Sequence, residues 1–285
     1  MKIAISAEST CDLTKSLIQE FEISVIPFNV ILDDKEALDG EITPEDLFEY
    51  VGKTNKLPHT SAINVFQYTD YFKGLLEKYD AVVHFALSSK ISATYANAST
   101  AAQEFGGKVL VIDTLSLSTG IALQAIYGRK LALAGKSPEE IVKAVKARIP
   151  FDQTSFSLES VNYLYKGGRC SMLQMLGANV LGLKPEIFVK EGKMVSGAKY
   201  RGPMKKVVME YVEDTLKLFP NADKEEVFIT YSTAPEEVLA TVQARLEKEG
   251  FKHIHQTRAG ATISCHCGPH CLGILYINDG PHPIA

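Results

Sequence analysis

Ala81-Val-Val-His-Phe-Ala-Leu87, followed by Ser88-Ser-Lys-Ile-Ser-Ala-Thr-Tyr95, is the stretch that decides the fold. Seven nearly all-apolar residues with β-branched and aromatic members read as a strand buried on both faces. The polar run behind them then opens a helix pattern over Thr94–Phe105. The same alternation repeats outward. Lys2–Ser6 and Lys108–Ile112 read as strands, and Asp12–Phe21, Tyr68–Lys78 and Thr119–Ala134 as helices, the last stopped by Gly135. Ile23–Leu32 reads as strand, with Pro27 breaking it or placing it at an edge. Thr43-Pro44 and Ser137-Pro138-Glu139-Glu140 carry helix-start signals. Strands that alternate with helices predict βαβ units and a parallel sheet. In such sheets ligands bind beyond the carboxyl ends of the strands.

After residue 155 the pattern changes. Short strands are expected at Thr154–Leu158, Pro185–Val189, Glu226–Tyr231, Lys252–Gln256 and Leu272–Ile277, with helices over Met204–Phe219 and Pro235–Lys248. The fold class is therefore α/β. A Rossmann-like, mostly parallel domain over residues 1–155, without a dinucleotide fingerprint, packs on a smaller α+β domain over 156–285. The cleft between them is the natural binding place.

The chain has 285 residues, a net charge of -4 and 22% charged residues. No basic field favours nucleic acid, and contact with a membrane is at most transient. The N-terminal apolar run is too short for a signal peptide, and no run approaches the twenty apolar residues of a bilayer span. A cytoplasmic protein is expected. Five cysteines in such a chain do not read as a disulfide framework.

Three hydroxyl clusters stand out: Thr60-Ser61, Ser88 to Thr94, and Thr114 to Thr119. All are placed at expected loop-to-helix junctions, where hydroxyls and free N–H groups suit an anion. Ordinary helix capping is the plainer reading of any single one. Neither G-x-x-x-x-G-K-[ST] nor G-x-G-x-x-G occurs, and the G-x-S-x-G elbow of a serine hydrolase is missing. Gly167-Gly168-Arg169 could bring a guanidinium to an anion, or be a plain turn. Ser264-Cys-His-Cys-Gly-Pro-His-Cys271 raises the question of a metal or redox site. Its spacing lacks a C-x2-C knuckle. Read as a strand, it turns Cys265 and Cys267 to one face and His266 to the other.

Taken in order, TSAIN from Thr60, SSKISATY from Ser88, DTLSLSTG from Asp113, YLYKGGRCS from Tyr163, Leu183-Lys184-Pro185 and HCGPHCLG from His266 resemble the DegV family. The match runs from Glu8-Ser9-Thr10 to the last strand. The resemblance implies a long-chain fatty acid as ligand, no cofactor or metal, and an ATP-dependent fatty acid kinase subunit as partner. It assigns the carboxylate to Thr60, Ser61, Ser92 and Ser118. Arg169 and His266 fall near the head group, and Arg201 at a position tied to kinase docking and phosphoryl transfer. No catalytic residue is implied.

Acyl-chain walls are expected among Ile187, Val189, Leu272, Ile274 and Leu176–Leu183. Glu8, Ala93 and His270 depart from the family's usual Asp, Gly and Gly, and His270 puts the backbone of its turn in question. Three other readings stay open: a lipid sensor or transporter without a kinase, a thiol or metal protein built on Cys265–Cys271, and a serine-dependent hydrolase or transferase.

Overall fold

The structure is a computed structural model that describes residues 1–33, 35–169 and 182–281. Chain order runs β1 (Ile3–Glu8), α1 (Lys15–Glu20), β2 (Ile23–Ile26), β3 (Asn29–Leu32), β4 (Lys35–Leu38), α2 (Pro44–Thr54), β5 (His59–Ser61) and α3 (Val65–Leu76). It continues with β6 (Ala81–Ala86), α4 (Thr94–Ala102), β7 (Val109–Asp113), α5 (Thr119–Leu133) and α6 (Pro138–Arg148). The second half holds β8 (Asp152–Gln153), β9 (Ser155–Ser157), α7 (Asn162–Lys166), β10 (Leu183–Lys190), β11 (Lys193–Arg201), α8 (Met204–Leu218), β12 (Glu226–Tyr231), α9 (Glu236–Glu249), β13 (His253–Arg258), α10 (Ala261–Cys267) and β14 (Leu272–Ile277).

Every residue of β1 and β6 is buried, which is what continuous apolar runs demand. They form the centre of a parallel sheet of order β2-β1-β6-β7. The second sheet is mixed, of order β11-β10-β9-β14-β12-β13, with β8 also on β14. All its pairs are antiparallel except β12–β13. The α/β class and the parallel N-terminal sheet stand as read from the sequence. Thr43 and Ser137 each form a capping box. A third box, Asn64 with Gln67, starts α3 at Val65.

Of the two alternatives for Ile23–Leu32, the break at Pro27 is the one that holds, and two other readings need correction. Pro27 and Phe28 separate β2, which joins the parallel sheet, from β3, which joins a small antiparallel sheet of order β4-β3-β5. A proline cannot donate to a ladder, so the chain changes sheet there. Thr60-Ser61 lies on β5 of that small sheet, not at a helix start. Residues 265–267 are the end of helix α10, not a strand. Asp12 and Asp39 accept the Gly260 and Ala261 N–H groups at 2.8 and 2.9 Å, so residues far back in the chain hold the start of this helix.

The largest core cluster runs across both halves, from Ile5 and Val83 in the parallel sheet to Phe156, Ile187, Phe228 and Leu275 in the mixed one. A second cluster lies on the other face of the mixed sheet, under α8 and α9. Among the described residues no helix is long and apolar enough to cross a membrane.

Candidate functional site

Beyond the carboxyl ends of β1, β2 and β6, a narrow cleft enters the large core. It encloses about 860 Å3 between atoms, solvent at its opening included, of which about 80 Å3 is wide enough for the centre of a water molecule. Only the second figure compares with the span of about 300–1,000 Å3 usual for ligand sites, and it falls well below it, so the cleft is a narrow slot rather than an open chamber. Both halves supply walls. Phe28, Leu117, Phe156, Leu164, Met194 and Leu275 are among its apolar residues.

Of the residues picked out from sequence, Thr60, Ser92, Ser118, Arg169 and His266 line this one cleft, brought together from five separate places in the chain. Ser61 follows Thr60 on β5, is partly buried and is not among the lining residues. Arg201 is exposed at the end of β11, outside the cleft.

The polar residues are held in different ways. Thr60 Oγ1 and His266 Nε2 are 3.1 Å apart. Gly167 permits this placement of the ring, because a Cβ there would stand 2.7 Å from His266 Nδ1. Burial lowers the His266 pKa to about 4, helped by the charges of Arg169 and His59, so the ring is neutral at pH 7. Ser92 Oγ accepts the Thr94 N–H at 3.3 Å, a local serine turn just ahead of α4, whose N-cap is Ala93. Ser118 does not cap α5 with its side chain. Its hydroxyl donates instead to Asp12 Oδ2 at 2.5 Å. The Arg169 side chain is exposed and donates to Gly167 O at 2.8 Å. The arrangement offers hydroxyl donors, a neutral imidazole and a cation together at one cleft whose other walls are apolar.

The apolar walls differ from those expected. Leu272 and Ile274 belong to the cluster under α8 and α9, whereas Gly273 and Leu275 line the cleft. Side chains alternate along a strand, so the choice of parity sent the expectation to the wrong face of β14. Ile187 is ordinary core and Val189 packs against it, and neither is a lining residue. Most of Leu176–Leu183 lies outside the described residues, as do Cys170 and Ser171.

Thr262 was missed. Its hydroxyl and His266 Nδ1 are both buried without a hydrogen-bond partner among the described residues, and both residues line the cleft. They stand at i and i+4 on α10, hence on one face. Reading the segment as a helix would have paired them. The thiols nearby are poor thiolates. Burial pushes Cys265 up to about 12, and Cys267, hydrogen-bonded to Cys271 and buried, is held well above the ordinary thiol range. Among the described residues no group of three or more His, Cys, Asp or Glu side chains could hold a metal ion.

A family model described as an uncharacterised protein of the DegV family matches residues 2–279. A DegV domain-containing protein of Caldanaerobacter subterraneus subsp. tengcongensis is 30% identical over 279 residues, covering 96% of this chain and 98% of that protein. A fatty acid-binding protein of Thermotoga maritima is 28% identical over 281 residues, covering 96% of each. The solved structure of a DegV family protein from Thermus thermophilus, described by its fatty acid binding, superposes with a TM-score of 0.90 at 27% identity, over 98% of this chain and all of that one. With one family model spanning almost its whole length and the fold held in common, the chain belongs to the DegV family.

Proposed function

We propose that the cleft binds one long-chain fatty acid. The carrying observation is the slot itself, apolar over most of its wall and furnished with Thr60, Ser92, Ser118, His266 and Arg169. The fatty acid binding of the Thermotoga and Thermus relatives supports it. An acyl chain gains roughly 0.8 kcal/mol per buried CH2, so about 14 methylenes gain about 11 kcal/mol before association costs. The carboxylate, left in an apolar slot, needs donors. Neutral hydroxyls and the uncharged His266 supply them, with Thr60 leading and Ser92 and Ser118 beside it, while Ser61, next to Thr60 on β5, turns to the other face of the strand. Arg169 adds a charge-assisted bond at the open end. Residues 1–155 bring the hydroxyl loops, and residues 156–285 complete the pocket.

In this reading the protein is a carrier. It buries the acyl chain and presents the carboxylate to a separate ATP-dependent kinase subunit, which makes the acyl phosphate. The chain's lack of a phosphate-binding glycine motif supports a nucleotide site on the partner. Arg201, exposed outside the cleft, is the docking candidate.

Mass spectrometry of lipid extracted from gently purified protein tests the ligand. One stoichiometric fatty acid is the expected result. Protein that carries none and takes none up sinks the reading. Purified kinase and loaded protein with ATP test the partnership by acyl phosphate formation.

A further inference from the structure

Ser118 has the most demanding geometry in the cleft. Its backbone stands at φ +52° and ψ −141°. An L side chain rarely adopts such a conformation, which costs about 1–3 kcal/mol and persists where the surroundings enforce it. Ser118 makes no side-chain cap to α5, and its hydroxyl meets Asp12 Oδ2 at 2.5 Å at the cleft wall. Asp12 Oδ1 accepts the Gly260 N–H at 2.8 Å. Both carboxyl oxygens therefore face a partner, and the residue is buried, 5% exposed.

Among the described residues the other titratable groups bearing on Asp12 are Asp39, Cys11 and, on α10, Cys267, and none of them is a cation. Asp39 takes the Ser9 hydroxyl and the Ala261 N–H, both at 2.9 Å. Two carboxyl groups thus share the start of one short helix. Like charges in a shared buried site drive one of them to keep its proton. Burial, with Asp39 adding to it, holds Asp12 well above the usual carboxylate range.

A serine hydroxyl carries one hydrogen. While that hydrogen is on Asp12 it is not available to a ligand. Turned toward an incoming carboxylate, it leaves Ser118 Oγ and Asp12 Oδ2 facing each other as two acceptors, unless Asp12 supplies a hydrogen. We propose that Asp12 holds a proton in the loaded protein and donates it to Ser118, which in turn donates its own hydrogen to the carboxylate of the bound fatty acid. The proton on Asp12 is then a working part of the head-group site. No bond of the ligand is made or broken. The proton either is already on Asp12 or enters from solvent at loading. This inference rests on the fatty-acid reading above. It follows that affinity for the anionic ligand falls about tenfold for each pH unit above the titration of Asp12.

The test uses the full chain loaded with hexadecanoate carrying 13C at its carboxyl, which moves the ligand's own C=O bands aside. The infrared difference between loaded unsubstituted protein and loaded Asp12→Asn is expected to contain a protonated-carboxyl band. That band should titrate out as pH rises, in step with release of the ligand. The amide that Asp12→Asn introduces, a permanent donor to Ser118, should give at least tenfold tighter binding than the unsubstituted protein at the alkaline end of the series. Ser118→Ala should flatten the dependence. A loaded protein without the band, or three identical pH profiles, overturns the proposal and leaves the ligand reading standing. Failure to load at any pH overturns the ligand reading instead. If Asp12→Asn does not fold, the pH series on loaded unsubstituted protein and on Ser118→Ala decides the matter alone.

Discussion

Thr60 and His266 lie 206 positions apart in sequence and 3.1 Å apart across the cleft. One comes from the small antiparallel sheet, the other from the last helix. Because the imidazole is neutral, the pair acts by hydrogen bonding and not by charge. We expect Thr60→Val and His266→Gln each to weaken fatty acid binding about tenfold, which is about 1.4 kcal/mol. The double variant should lose less than the sum, as groups in direct contact do. Calorimetric titration of the four proteins checks this. Simple additivity would mean that the two residues meet the ligand separately.

His266 also sets a pH dependence of stability. Its folded pKa, about 4, lies below the ordinary value of 6.5. Between those values the unfolded chain takes up a proton that the folded one refuses, so stability falls as pH falls through that window and levels off below it. From pH 7 to pH 5 we expect a loss of about 1 kcal/mol from this residue, below the limit of about 1.4 kcal/mol per unit because the ring is only partly enclosed. Urea unfolding at both pH values should show that part of the difference vanish in His266→Gln. An unchanged difference rejects it.

Thr262 predicts a trade. Its buried hydroxyl has no hydrogen-bond partner among the described residues. Thr262→Val keeps the shape and removes the unmet group, so the free protein should gain about 1 kcal/mol. Fatty acid affinity should drop at the same time. Thermal unfolding of ligand-free protein together with a binding titration reads both signs. A variant that is both less stable and equally tight would contradict the placement of this hydroxyl at the ligand.

Gly167→Ala should act on the same ring from behind. The added carbon would meet His266 Nδ1 at 2.7 Å and the Tyr163 carbonyl at 3.0 Å. Overpacking of this kind costs about 1–3 kcal/mol. We expect lower stability and weaker binding together, measured by urea unfolding and titration.

His270→Gly should stabilise. His270 sits at φ +57°, where glycine is at ease. Its partners are modest: Thr233 Oγ1 at 3.3 Å and Glu159 at 3.8 Å, on an exposed side chain. Relief of about 1–2 kcal/mol, less the added freedom of the unfolded chain, leaves a net gain of about 0.5–1 kcal/mol. A fall in midpoint temperature would show that those two contacts outweigh the backbone.

Much of this molecule could be read without coordinates, for reasons that are local. β12 and β14 span the residues that their apolar patterns marked, Glu226–Tyr231 and Leu272–Ile277. Thr43 and Ser137 cap helices as their side chains require. His270 stands in the left-handed region, as doubt about its turn anticipated. What failed was non-local. Seven residues from Ala261 to Cys267 carry too little periodicity to separate helix from strand. The helix depends on Asp12 and Asp39, more than two hundred residues upstream. β11 has a mixed burial pattern and went unread because its pairing with β10, and not its composition, makes it a strand. The walls on β14 were placed on the face away from the cleft because alternation fixes two faces without saying which one meets it.

The clamp of Asp12 and Asp39 on α10 has a bearing on synthesis. Cleft-lining residues run from Thr10 to Leu275, and the helix bearing Thr262 and His266 is fastened to the first forty residues. A chain still emerging from the ribosome has no complete cleft until β14 is out, because Gly273 and Leu275 are themselves part of the wall. On the proposed function, fatty acid can then stabilise only the finished fold, and occupancy of the cleft becomes a report that folding is complete.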